Sequence, residues 1–211
     1  MIEGIPAPGA YLYNFLTRKR KNLDRVIAEE ITNKIEHGKI LDIGTGPGFI
    51  PIKIAKFNPD LEIIGIDISK TMIKLAKKNA EKAGVNNVTF EVMSAYKLRF
   101  LEEQFDLVTS IGALHHFNNP LKAFNEMYRV LKSQREVWIY DFITDTPKKD
   151  MRKFLEEVGL PKFPWSIAFR LHGLNYREWT GEISKAAEQS KFDDYKLERN
   201  KALMKLILRK F

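Results

Sequence analysis

The residues best suited to chemistry are three glycines at alternate positions, Gly44, Gly46 and Gly48, in the run I-L-D-I-G-T-G-P-G from Ile40 to Gly48. Ile40, Leu41 and Ile43 ahead of them read as a short buried strand, and Phe49, Ile50, Ile52, Ile54 and Ala55 behind them open a helical pattern. Glycine in such a turn allows positive φ and lets a ligand approach the main chain with no Cβ in the way. The dinucleotide fingerprint G-x-G-x-x-G needs a glycine at position 49, where this chain has Phe49, so the spacing speaks against NAD. A tight turn with no ligand would use the same residues. About 20 residues further on, Leu61 to Ile66 forms a second apolar strand ending in Asp67, whose carboxylate can accept hydrogen bonds from both hydroxyls of a ribose. The alternative for Asp67 is to cap the next helix, a role Ser69 could equally fill. Loop and carboxylate together point to a nucleoside cofactor.

The other groups with chemical potential are few. His115 and His116 are the evident general bases, since imidazole titrates near physiological pH; the alternative is a strand-end histidine satisfied by backbone. His37 reads as structural, and His172 lies in an aromatic stretch where it could meet a substrate. Four scattered histidines and no cysteine do not make a zinc site, so no metal is expected. The absence of cysteine also excludes any mechanism built on a thiolate nucleophile.

The elements that must position these residues alternate. Strands are expected at Lys39 to Ile43, Glu62 to Asp67, Val88 to Met93, Phe105 to Ser110 and Glu136 to Asp141, with helices at Phe49 to Phe57, Lys70 to Ala83 and Leu121 to Leu131 between several of them. Gly84, Asn86 and Asn87 form a helix stop. Such alternation implies a parallel sheet covered on both faces, with its crevice at the carboxyl ends of the strands. Beyond Asp141 come a helical segment near Lys148 to Val158, an aromatic and proline-bearing stretch from Gly159 to Tyr176, a helix near Glu178 to Ser190, and strands near Tyr195 to Arg199 and Ala202 to Leu208, turned by Asn200 and Lys201. Tyr11 to Glu36 reads as one or two amphipathic helices with Leu23, Val26, Ile27, Ile31 and Ile35 at helical spacing.

In order along the chain, I-L-D-I-G-T-G-P-G, G-I-D-I-S (Gly65 to Ser69), F-D-L-V-T-S-I-G-A-L-H-H-F (Phe105 to Phe117) and E-M-Y-R-V-L-K (Glu126 to Lys132) resemble the motifs of class I S-adenosylmethionine-dependent methyltransferases. The likeness is greatest to the small-molecule branch that includes ubiquinone and menaquinone C-methyltransferases. It implies an α/β, Rossmann-like, doubly wound and mostly parallel seven-stranded sheet with a C-terminal antiparallel hairpin and an N-terminal helical cap. The expected organisation is one domain over 1–211: a cap over 1–37, a cofactor core over 38–141, and a substrate lid and hairpin over 142–211. The cofactor implied is S-adenosyl-L-methionine, leaving S-adenosyl-L-homocysteine as product. Carried onto this chain, Gly44, Thr45, Gly46 and Gly48 would hold the methionine portion, with Asp42 fixing the loop or the amino group. Asp67 would hold the ribose, Ile68 would pack on adenine, and Met72 would stand close by. The family usually presents an acidic residue to adenine after the third strand, but here Ser94 and Ala95 take that place, which suggests backbone-led recognition. Ser110 and Ile111 would line the site near the methionine portion, His115 and His116 would lie beyond as catalytic candidates, and Tyr11 or Tyr13 of the cap could touch the cofactor.

The acceptor is less legible. The sequence Asn/Asp-Pro-Pro-aromatic used to methylate amino groups of nucleic-acid bases is absent, since Ser110-Ile111-Gly112-Ala113 stands there. Metal-dependent O-methylation would need a cluster of acids after the fifth strand, where only Asp141 and Asp145 are available. The stretch Phe142 to Trp179 mixes Phe154, Phe163, Trp165, Phe169, Tyr176 and Trp179 with lysines and arginines, which suits an apolar or aromatic, anionic small molecule and equally suits a plain packing lid. Net charge is +8, and the final 70 residues hold 15 Lys and Arg against 10 Asp and Glu, so an anionic partner such as RNA is the second reading, although no RNA-binding motif or dense basic block is present. A non-catalytic relative is the third, suggested by Ser94 and by K-S-Q-R at Lys132 to Arg135, where relatives have a glycine-rich turn. At 211 residues with 44% apolar content the chain can bury a substantial core, and with no membrane span, no signal-peptide pattern and no cysteine it reads as cytoplasmic.

Overall fold

In the computed structural model, which describes residues 7–211, seven strands form a single sheet. They are β1 (Gly38–Ile43), β2 (Leu61–Asp67), β3 (Val88–Val92), β4 (Phe105–Ile111), β5 (Leu131–Phe142), β6 (Asp194–Asn200) and β7 (Leu203–Lys210), ordered β3-β2-β1-β4-β5-β7-β6. The first five run parallel, and β7 inserts between β5 and β6, antiparallel to both. The terminal hairpin is thus present, turned at Asn200 to Ala202, with Lys201 at φ 54.

Continuous apolar runs build the sheet because parallel strands are covered on both faces. Alternate residues divide between two cores. Ile40, Ile63, Leu107 and Trp138 face α2 (Lys21–Lys34), α3 (Phe49–Phe57), α4 (Lys70–Ala83), α6 (Lys148–Glu157) and α7 (Lys162–Leu171). Leu41, Ile64, Val108 and Ile139 face α5 (Pro120–Val130) and the last helical segment, in which α8 (Tyr176–Glu178), a π-helical turn (Trp179–Ile183) and α9 (Ser184–Gln189) follow without a break. Each such side chain contributes roughly 1.5–3 kcal/mol on full burial. Local signals set the helix ends: the Ser69 hydroxyl accepts from the Met72 N–H, Gly84 at φ 67 closes α4, and Asn119 caps α5 with Pro120 in its first turn.

The cap takes the two-helix form of the sequence reading with one difference in its buried face, and two other elements depart from that reading. Residues 11–36 form two helices, α1 (Ala7–Thr17) and α2, broken at Arg18 to Arg20; Val26 points outward, 50% exposed, while Ala28 joins the buried face. The first six residues of the expected cap lie outside the described residues. β5 begins at Leu131 rather than Glu136, taking in K-S-Q-R, and Gln134 there adopts φ 58, the conformation a glycine would supply. The aromatic stretch from Gly159 to Tyr176 contains α7, which its prolines disguise. Phe163 is extended and Pro164 begins the helical turns, where a fixed φ is tolerated. Trp165 and Phe169 then pack inward, Phe169 stacking on Phe142 at 4.0 Å between centroids.

Candidate active site

A cleft of about 1260 Å³, its open mouth included, lies at the carboxyl ends of β1 to β4. Its floor comes from the loops after those strands: Gly44 and Gly46, then Asp67 and Ile68, then Met93 to Tyr96, then Gly112, Ala113 and His115 to Phe117, with Met72 from α4. Its roof comes from Tyr13, Thr17 and Arg20 of the cap on one side and from Phe142, Trp165, Phe169 and His172 on the other.

The glycines of the first loop divide their work. All three have positive φ, at 74°, 54° and 78°. A Cβ on Gly44 would collide with the Ala113 side chain, and one on Gly48 would come within 2.7 Å of the Phe90 ring and 3.0 Å of the Ala76 Cβ. Gly46 alone opens on space, the nearest atom being a Tyr13 ring carbon at 3.8 Å. Gly48 therefore lets α3 pack on α4 and β3, and unlike Gly44 and Gly46 it is not among the residues lining the cleft. Asp67 ties the turn together: one carboxylate oxygen accepts the Gly46 N–H at 2.9 Å, and the other accepts the Ser69 N–H at 2.8 Å. Burial pushes its pKa up, and the two N–H bonds oppose that. Each oxygen keeps a lone pair for a diol.

Asp42, Thr45 and Ile111 line a smaller adjoining recess together with Tyr13, Thr17 and Arg20. Asp42 accepts the Thr109 hydroxyl at 2.8 Å, and burial raises its pKa to about 7 against the pull of that bond. Arg20, only 9% exposed, faces Asp24 at 3.4 Å, and its Nε has no hydrogen-bond partner among the described residues. Arg20 and Thr17 were not among the residues expected from sequence, because an Arg and an Asp four apart on a helix usually mark a solvated pair. Ser94 and Ala95 line the cleft, the Ser94 hydroxyl accepting the Tyr96 N–H at 3.3 Å. Tyr13 faces the cleft, whereas Tyr11 is 56% exposed. Ser110 is fully buried and is not among the residues lining the cleft, because strand alternation puts it on the same face as Val108.

Beyond the loop after β4 lies a cluster of imidazoles. Asp141, 0% exposed near the end of β5, accepts through one oxygen both the His115 main-chain N–H at 3.0 Å and its ring Nδ1 at 2.9 Å, and through the other the Phe142 N–H at 2.8 Å. With Nδ1–H donating, Nε2 is left as the lone pair. Nε2 is buried and has no partner among the described residues. Burial lowers the His115 pKa, but Asp141 outweighs it and the net direction is up. His116, 4.0 Å away between ring centroids, is lowered to about 4 by burial and by His115; His172, at 6.1 Å, is lowered by the same two causes. Asp145 instead accepts the Tyr176 N–H at 3.0 Å, so the two acids after β5 do not converge, and among the described residues no group of three or more His, Asp or Glu could hold a metal.

The model of a family described as a methyltransferase domain matches residues 34–199. YcgJ of Bacillus subtilis, an uncharacterized methyltransferase, is 36% identical over 156 residues, which cover 69% of this chain and 60% of that protein. UbiE of Geotalea daltonii, a ubiquinone/menaquinone biosynthesis C-methyltransferase, is 32% identical over 138 residues, 63% of this chain and 59% of its own. The chain thus spans about 60% of the length of these two relatives. A crystal structure from Methanococcus maripaludis, provisionally described as an S-adenosyl-L-methionine-dependent methyltransferase, has a TM-score of 0.82 and 25% identity, covering 100% of this chain and 97% of the other. Among the described residues no helix is long and apolar enough to cross a membrane.

Proposed function

The chain belongs to the methyltransferase-domain family, and from that premise we propose that it is an S-adenosylmethionine-dependent methyltransferase acting on a small-molecule acceptor. The residues present fit the cofactor. Gly46 leaves a cradle that any Cβ would narrow, and Asp67 offers paired acceptors to a ribose beside it. The recess holds one buried cation, Arg20, and one buried carboxyl, Asp42, a complement to the carboxylate and ammonium of an amino acid tail. Ile68, half exposed, with Met72 and the Ser94–Ala95 turn offers a flat apolar slot for a purine. When bound, S-adenosylmethionine supplies a methyl group on a positively charged sulfur, open to in-line displacement.

The protein's part is to hold both reactants in line and keep water out, and alignment of this kind contributes up to roughly 7–11 kcal/mol in favourable intramolecular reactions. A small acceptor suits the aromatic side chains of Phe142, Trp165 and Phe169 that line one side of the cleft. UbiE carries a C-methylating role in quinone biosynthesis by name, and an apolar ring would suit the same walls here. The observation that carries the reading is the Asp67 carboxylate, fixed to Gly46 and lining the cleft. Titration calorimetry with S-adenosylhomocysteine tests it. Asp67→Asn and Asp67→Ala should weaken binding by about 100-fold, the equivalent of one to two charged hydrogen bonds. Affinity equal to that of the natural chain in both folded variants would refute the assignment.

A further inference from the structure

We propose that Asp141 and His115 form a proton-accepting dyad, so that the acceptor is one that enters neutral and must lose a proton: a hydroxyl on an apolar ring, or an acidic ring carbon. This rests on the methyltransferase reading and narrows it. The carboxyl is fully buried at the end of β5 and spends one oxygen entirely on His115, taking the N–H of its main chain and of its ring. Two bonds to one residue fix the imidazole in place and in tautomer, as an orienting carboxylate does for other histidine bases. Nε2 is thereby an acceptor, buried and without a partner among the described residues. Buried acceptors are rarely left so, and a ligand hydroxyl is the donor this one lacks.

The neighbours select His115 over His116. His116 is held near neutrality well below physiological pH, and His172 is shifted the same way. Tyr13 and Arg20 of the cap couple electrostatically to Asp141. Only His115 has a carboxyl against its ring. The His116 ring lies 4.0 Å away, is partly exposed and shares the lining of the cleft.

The acceptor gives its proton to Nε2 and its freed electron pair to the methyl carbon, whose bond to sulfur breaks with that pair returning to sulfur as a neutral thioether. Positive charge leaves the sulfur as it appears on the imidazole beside Asp141, so the cleft keeps its net charge throughout. An acceptor already anionic would meet Phe117, Phe142, Trp165 and Phe169 at a large desolvation penalty. An amine attacks with its own lone pair and needs no base beforehand. Asp141 is on this account a positioning residue and His115 a catalytic one.

Histidine nitrogen NMR on protein loaded with S-adenosylhomocysteine reads the dyad without turnover. His115 should carry its proton on Nδ1 and titrate above His116, and Asp141→Asn, with the fold and cofactor binding retained, should lower its titration point and mix the tautomers. The chromogenic 4-nitrophenol then serves as the acceptor probe. Bound to the loaded natural chain near neutral pH it should absorb as phenolate, with about tenfold less phenolate in His115→Gln and an intermediate fraction in Asp141→Asn. A proton on Nε2, a titration unaltered in Asp141→Asn, equal phenolate in the natural chain and His115→Gln, or no bound nitrophenol would each overturn the dyad. Failure of S-adenosylhomocysteine itself to bind would instead remove the reading on which the dyad rests.

Discussion

Asp42 and Asp67 end neighbouring strands, and their surroundings give the two carboxyls different work. Asp67 lies at the surface of the cleft with an N–H on each oxygen, whereas Asp42 is buried against the hydroxyls of Thr109 and Thr45 with a pKa raised to about 7. Because the folded value lies above the unfolded one of about 3.8, the native state binds that proton more tightly. The contribution is complete at low pH and lost as pH rises through about 7. Asp42→Asn should therefore be more stable than the natural chain at pH 8, by up to about 4 kcal/mol at roughly 1.4 kcal/mol per pKa unit, with the gap narrowing toward pH 5. Urea unfolding at both pH values measures it, and a gap independent of pH would show that burial does not hold Asp42 protonated. Local spacing made Asp42, Asp67 and Gly46 legible in the sequence. Arg20 was not, since only the fold turns it inward, and Asp141, 26 residues from His115, read as a possible metal ligand although its place at a strand end could have linked it to the crevice.

The loop after β1 shows how one motif serves both folding and binding. An alanine at position 48 must hold φ near 78° with its Cβ against Phe90 and Ala76, and should destabilise the fold by about 2–4 kcal/mol. An alanine at position 46 meets only the backbone term, about 1–2 kcal/mol, but narrows the cradle. Chemical unfolding and calorimetry should separate them: Gly48→Ala loses stability first, Gly46→Ala loses affinity for S-adenosylhomocysteine first. The reverse order would mean that the two glycines have been assigned the wrong tasks. Apolar runs made the sheet readable, because each buried parallel strand is hydrophobic on both faces. The start of β5 was hidden by its exposed residues Ser133 to Arg135, and α7 by Pro161 and Pro164, since both signals ordinarily end an element.

Across the whole molecule, the sheet order brings the ends of β1, β2 and β4 side by side, so residues from positions 44, 67 and 115 meet in one cleft. The three basic residues of β7 are engaged in the fold: Lys205 pairs with Glu30 and lies over Trp138, Lys210 pairs with Glu103, and Arg209 with Glu136 and Asp194. Ligand at 100 times its dissociation constant should stabilise the protein by about 2.7 kcal/mol, with hydrogen exchange slowing most in α1, the Arg18 to Arg20 break and α7, whose residues roof the cleft; slowing confined to the sheet would place the ligand elsewhere. On the proposed function the first loop and Asp67 receive the cofactor. Amide NMR during titration with S-adenosylhomocysteine tests it most directly. The largest shifts should fall at Gly44 to Gly46, Asp67 to Ser69 and Ser94 to Tyr96, and saturating shifts that leave those amides unmoved would contradict the account.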